Sequence, residues 1–169
     1  MRHRIEHAEL ITPSQMERAA RLGVVLCMQP GYEGLWGYPG GMYQQRLGDH
    51  YGTTNRFRRI IDSGVTVCAG SDPPLTNINP LLGIYYAVNH PVPANSATLQ
   101  EALEMYTVNG AYALFLEKQK GSLREGMDAD IVILDRDITQ TDPQQLKEVK
   151  VDMTIKDGRV VFNRMASLC

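Results

Sequence analysis

Three side chains of metal-binding type fall within five residues in the stretch RHRIEHAELI, residues 2–11: His3, Glu6 and His7. Read as a strand, period two places His3, Ile5 and His7 on one face and Glu6 with the arginines on the other. His7 then stands at the C-terminal end, where parallel βα folds carry their catalytic groups. A neutral imidazole there is a ligand for Zn²⁺ or a similar ion, or simply a hydrogen-bonding group at a strand end. Read as a helix, the same residues spell H-x-x-E-H, the inverted zinc-peptidase motif. That reading is the weaker one, because the stretch lacks an N-terminal cap and carries β-branched Ile5 in its middle. A second candidate is Asp72 in AGSDPP, directly after an apolar run. A carboxylate so placed can ligate a metal and take a proton from water, although Ser-Asp-Pro is equally good turn chemistry. The loop QPGYEGLWGYPGGMYQQRLGDHYG supplies a third set. Tyr32, Trp36, Tyr38 and Tyr43 can line a substrate pocket, Arg46 can bind an anionic or carbonyl group, and His50 can titrate or ligate. Ordinary loop packing accounts for the aromatics equally well.

The elements that must position these groups are legible nearby. Thr12, Pro13 and Gln15 form a capping box with proline at the first helical position. Met16, Ala19 and Ala20 give helical apolar spacing that Gly23 stops. VVLCM at 24–28 and VTVCAG at 65–70 read as buried strands. Phe57, Ile60 and Ile61 mark a helix ending at Gly64. Asn79 caps another that starts at Pro80. TLQE at 98–101 is a second capping box, with Leu99, Leu103 and Tyr106 as the expected buried face. Strand–loop–helix alternation of this kind predicts parallel βα units. Near residue 117 the pattern changes to a turn-rich stretch, a strand at Ile131–Leu134, and a hairpin turning at Asp157-Gly158. The expected division is residues 1–116 as partial barrel and 117–169 as part of a small β module.

Composition sets the bounds. The 169 residues include 17 basic and 19 acidic side chains, a formal net charge of −2, and 43% are hydrophobic. Such a chain can bury a core, and neither its charge nor any Lys/Arg block suggests a nucleic-acid partner. No apolar run is long enough to cross a bilayer, so no membrane partner is expected. Cys27, Cys68 and Cys169 are few and scattered, which fits a reducing, cytoplasmic setting and buried thiols for the first two.

The succession RHRIEHAE, GVVLCMQP, GVTVCAGSDPPL, YTVNGAYAL, KGSLREGMDADIVILDRD and TIKDGRVVF resembles the amidohydrolase superfamily. It is most similar to the branch called amidohydrolase family 3, which includes formamide deformylases. The resemblance implies an α/β fold: the C-terminal part of a (β/α)₈ barrel, about strands six to eight with their helices, plus part of a β-sandwich. It implies His7 as a metal ligand, and Asp72 as both a metal ligand and the acceptor of the attacking water's proton. His3 and His50 match no family ligand position. It further implies a divalent metal, zinc by preference, and a small amide-type substrate. The family's H-x-H motif and the ligands of its fourth and fifth strands have no counterpart in the sequence. The chain is therefore expected to bind metal poorly, to be inactive by itself, to pair with the missing part of the fold, and to self-associate through exposed edges. The alternative is a non-catalytic binding or regulatory module on a degenerate version of the same fold.

Overall fold

The structure, a computed structural model, describes residues 2–168. Cys169 lies outside them. Three parallel strands, β1 (Arg4–Glu6), β2 (Val25–Met28) and β3 (Val67–Ala69), lie in spatial order β1-β2-β3. Their register runs Glu6↔Cys27 and Cys27↔Cys68. Between β1 and β2 runs helix α1 (Pro13–Leu22). Its capping box is formed by Thr12 and Gln15, and Gly23 ends it with a left-handed φ of 63°. Helix α4 (Phe57–Asp62) leads into β3, and α5 (Pro80–Val88), capped by the Asn79 side chain, follows it. Helices α6 (Leu99–Tyr106) and α7 (Val108–Ala113) complete this part.

The sheet buries both faces, as near-continuous apolar strands require. On one face Leu26, Met28 and Val67 pack with Met16, Phe57, Ile60, Ile84, Ala87, Ala102 and Met105 from α1, α4, α5 and α6. On the other, Val25 and Cys68 pack under Ala113 of α7, with Cys27 and Tyr112 at the margin. In α6 the fully buried positions are Ala102 and Met105, while Leu99, Leu103 and Tyr106 are half-buried at the edge of the core. The larger side chains flank the contact and the small Ala102 lets the helix approach. The region between β2 and α4, which reads as one long loop, contains α2 (Gly31–Leu35), α3 (Met42–Leu47) and a 3₁₀ turn at Gly48–Thr53. These short helices escape periodicity because they span less than two turns.

The last third forms an antiparallel sheet in the order β4-β5-β6: β4 (Ile131–Leu134), β5 (Val151–Lys156) and β6 (Arg159–Asn163). Asp157 and Gly158 turn the hairpin with φ of 49° and 74°, the pair of positive values that a tight hairpin turn demands. Ile138, Leu146 and Val149 pack on Leu81, Tyr85 and Val88 of α5 and so join this part to the helices. Among the described residues, β1 has no neighbour on its outer edge, and a groove of about 500 Å³ beside it is lined by Ile5, Ala8, Leu10, Leu22 and Leu26. No helix of the described residues is long and apolar enough to cross a membrane.

One ion pair links α4 to α6. Glu101 accepts from Arg58 Nη1 at 2.6 Å and closes its capping box by accepting from Thr98 N at 2.8 Å. Arg58 first, and then the Thr98 donors, hold its carboxyl at about 2, below the usual 4.5. A depressed carboxyl stabilises the fold fully above its unfolded pKa and loses that contribution as pH falls through the folded one. Glu101→Gln should therefore cost about 1–2 kcal/mol at neutral pH. Thermal melts should show this penalty shrinking between pH 4.5 and 2. A penalty constant over that range would contradict the assignment.

Candidate functional site

The C-terminal ends of β1, β2 and β3 converge on one cluster. His7 follows β1 with φ 68°, and Asp72 follows β3 with φ 51°. Both candidate ligands thus occupy left-handed backbone, which costs a non-glycine residue about 1–2 kcal/mol and concentrates at functional sites. The His7 N–H donates to the Cys27 carbonyl at 2.8 Å and holds the turn against β2. The turn also ends the strand alternation. His7 lies past the end of β1 with φ 68°, so its ring, which meets Gln29, is no longer placed by the alternation that sets Ile5 against the apolar groove. The expected strand alternation thus ends at Glu6, one residue before His7. The extended backbone over Arg4–Glu6 likewise removes the helix that the zinc-peptidase motif requires.

Gln29 and Tyr32 order the two ligands. Gln29 is 4% exposed. Its amide donates to the Cys27 carbonyl at 3.3 Å, which leaves its oxygen facing His7 Nδ1 at 2.9 Å. An amide oxygen accepts, so in the neutral ring Nδ1 carries the proton and Nε2 the lone pair. Tyr32 stacks on the His7 ring with centroids 6.1 Å apart and planes 10° apart, and its hydroxyl donates to Asp72 Oδ2. Burial first, and then the Asp72 carboxylate, push the Tyr32 hydroxyl up from its ordinary value. The phenol therefore stays protonated and remains a donor. One buried side chain thus touches both candidate ligands, and among the described residues Nε2 of His7 and Oδ1 of Asp72 have no hydrogen-bond partner.

The aromatic loop continues this wall. Trp36 lies 4.5 Å from Tyr32 and 6.0 Å from Tyr43, centroid to centroid. The Tyr43 hydroxyl donates to Glu9 Oε2, and burial first, then Glu9, raise it. Behind the wall Glu33 is 1% exposed and accepts from Asn55 Nδ2 at 2.6 Å. His90 Nδ1 accepts from Val92 N at 2.9 Å, so a neutral His90 presents its Nε2 proton toward Glu33 Oε1, 3.5 Å away. The glycines follow from this packing. A Cβ on Gly37 would fall 1.8 Å from Glu33 Oε2, and one on Gly34 would fall 2.0 Å from the Tyr86 ring.

The structure therefore brings His7, Asp72, Tyr32 and Trp36 together. Arg46 and His50 are exposed, on α3 and on the 3₁₀ turn, and among the described residues neither side chain is bonded to the cluster. Gln29, Glu33, Asn55 and His90 escape a reading of the sequence. The one signal for Gln29 is a polar residue closing an apolar strand. Among the described residues, the only group of three His, Cys, Asp or Glu ligand atoms within 4.8 Å of one another is Asp128, Asp130 and Asp157. That group is satisfied by Lys120, which reaches Asp128 and Asp130 at 3.0 Å, and by Lys156. His7 and Asp72 have the types and free atoms that suit a divalent ion, but they supply two ligands where catalytic zinc sites use about three.

The family described as Amidohydrolase family matches residues 1–162. The Bacillus subtilis (strain 168) amidohydrolase YtcJ is 33% identical over 172 residues, covering 95% of this chain and 32% of that protein. The N-substituted formamide deformylase of Arthrobacter pascens is 32% identical over 171 residues, covering 97% of this chain and 31% of that one. A metal-dependent hydrolase from Pyrococcus furiosus of known structure superposes with a TM-score of 0.68 at 29% identity, covering 83% of this chain and 28% of its own. The chain thus spans about a third of the length of the curated relatives it matches.

The Gln29 contact makes a direct prediction. In Gln29→Leu the His7 Nδ1 proton loses its acceptor. Imidazole ¹⁵N shifts of the neutral ring should move from a predominantly Nδ1-protonated pattern toward the mixture of a free histidine. Gln29→Glu, which still accepts, should retain the original pattern. Unchanged shifts in Gln29→Leu would show that another group sets the tautomer.

Proposed function

The chain belongs to the amidohydrolase family, and from that premise we propose that it forms the His7- and Asp72-bearing part of a metal-dependent hydrolase of non-peptide C–N bonds. The observation that carries this is the single buried tyrosine bridging two strand-end ligands, both in left-handed backbone. His7 Nε2 and Asp72 Oδ1 would hold a divalent ion, zinc by preference for a nitrogen and oxygen donor set. Such an ion, when bound, polarises a carbonyl and acidifies water. Asp72 accepts the proton of the attacking water and returns it to the departing amine nitrogen. Tyr32 keeps its own proton throughout and holds the carboxylate in place. Trp36, with Tyr32 behind it, offers an apolar wall for the substituent of a small amide or formamide, in line with the formamide deformylase among the relatives. Arg46 and His50, from their exposed positions, could meet substrate only at the outer mouth.

With two ligands the chain alone should hold metal weakly and turn over no amide. Completion of the site requires the remaining part of the fold. The two-ligand count also favours the second reading, a module that keeps the fold without catalysis. Cobalt(II) titration of the purified chain, followed by visible absorption, should give weak binding. His7→Ala and Asp72→Asn should each lower it about tenfold or more. Binding unaffected by either substitution would remove the proposed site. Stoichiometric tight metal with hydrolysis of an N-formyl amine would instead remove the claim that this chain is inactive by itself.

The open β1 edge and the apolar groove beside it further support self-association, because unpaired strand edges and apolar patches both template pairing. Sedimentation velocity at micromolar concentration should show a dimer or larger species, and a monodisperse monomer would contradict it. A cytoplasmic location is part of the same proposal, supported by the sparse cysteines, and fractionation of the source cells tests it: recovery in a secreted or membrane fraction would contradict it.

A further inference from the structure

Two thiols stand side by side where the proposed chemistry has no use for them. Cys27 and Cys68 are register partners on β2 and β3. Both belong to the small cluster under α7, so both side chains leave the sheet on the same face. Register partners on neighbouring strands have Cα atoms roughly 4.8 Å apart, within the roughly 4.4–6.8 Å that a disulfide spans. Both cysteines are free, Cys27 half-buried and Cys68 buried. The two thiols are neighbours across the β2–β3 ladder. Glu6 is the next residue in the same row, beside Cys27, and is paired with Arg4 at 2.5 Å. The surroundings of the pair are therefore partly polar. The neighbouring Cys27 thiol first, with Arg4's charge adding to it, holds the Cys68 thiol below its ordinary value against the opposing effect of burial.

We propose that Cys27 and Cys68 form a redox-responsive dithiol that closes to a reversible intrachain disulfide and cross-links β2 to β3 beneath the rim of the candidate site. The oxidant class is a small peroxide. One thiol attacks the peroxide O–O bond, takes one oxygen to become a sulfenic acid, and releases water. The neighbouring thiol then attacks that sulfur, forms the S–S bond and releases a second water. Two electrons pass from the sulfur pair to each hydrogen peroxide, which is reduced to two waters. A dithiol reductant reverses the change by exchange and returns two electrons and two protons. Whichever sulfur reacts first, its resolving partner is already in register. Half-exposed Cys27 gives the oxidant a way in. The pair does not depend on metal binding or hydrolysis, so it stands or falls separately from them.

The test uses the otherwise complete chain with Cys169→Ala, so that one pair of thiols remains. Stoichiometric hydrogen peroxide should lower the intact mass by about 2 Da and yield a cross-linked peptide containing both cysteines. Dithiothreitol should restore two alkylatable thiols. Cys68→Ser should abolish the mass loss. Cys27→Ser, at the half-exposed position, should do the same and covers the case in which the buried substitution fails to fold. The proposal is overturned if both thiols remain alkylatable after oxidation. It is equally overturned if each thiol gains oxygen without a link, or if the link joins two chains.

Discussion

The bond from the Tyr32 hydroxyl to the Asp72 carboxylate is the constraint on which the rest of the rim depends. Tyr32 is 2% exposed. A phenol buried there beside a carboxylate is costly to ionise, so it donates its proton and fixes the direction of the bond. Its ring lies along the His7 imidazole, so one side chain sets the position of groups from the ends of β1 and β3. Both of those groups sit in a backbone conformation that local sequence does not favour, and such positions persist only where surrounding contacts over-determine them. The contacts that do so here are Tyr32, the Gln29 amide and the His7 amide bond to β2.

Tyr32 in turn needs its own helix held still. That helix, α2, has five residues and no side-chain cap, too little to be stable by itself. The next residue, Glu33, anchors it from the opposite side by accepting from Asn55 near the start of α4 and facing His90 after α5. Truncating Asn55 or His90 would leave the buried Glu33 carboxyl short of a partner, the costly kind of loss. The cluster of Asp128, Asp130 and Asp157 in the last third differs in kind. Asp130 accepts from the Asp157 N–H, and Lys120 and Lys156 neutralise the group. These carboxylates pin a hairpin turn, whereas those of Asp72 and Glu33 order the candidate site.

Local chemistry was the most legible part of the sequence. Both capping boxes, the proline-started helices, the left-handed Gly23 and the Asp157-Gly158 turn follow from interactions spanning a few residues, and each appears where the residues place it. The order of the parallel strands follows from their alternation with helices. The candidate ligands His7 and Asp72 come from the family resemblance, and only Asp72 is also marked by its place after an apolar run. The side on which His7 emerges is not marked, because a positive φ at histidine has no signal in its neighbours. Gln29, Asn55 and His90 act across 22 residues or more, and no spacing rule connects them. The short helices α2 and α3 depend on glycines that permit close packing and not on apolar periodicity.

His7 Nε2 and Asp72 Oδ1 are proposed to share one metal ion. Crystals of the chain soaked in zinc, with anomalous differences collected at the zinc edge, test it directly. A peak within bonding distance of both atoms, about 2.0–2.2 Å, is expected, with Gln29 and Tyr32 in their contacts to His7 and Asp72. A peak only at Asp128, Asp130 and Asp157, or zinc on either ligand without the other, would contradict it.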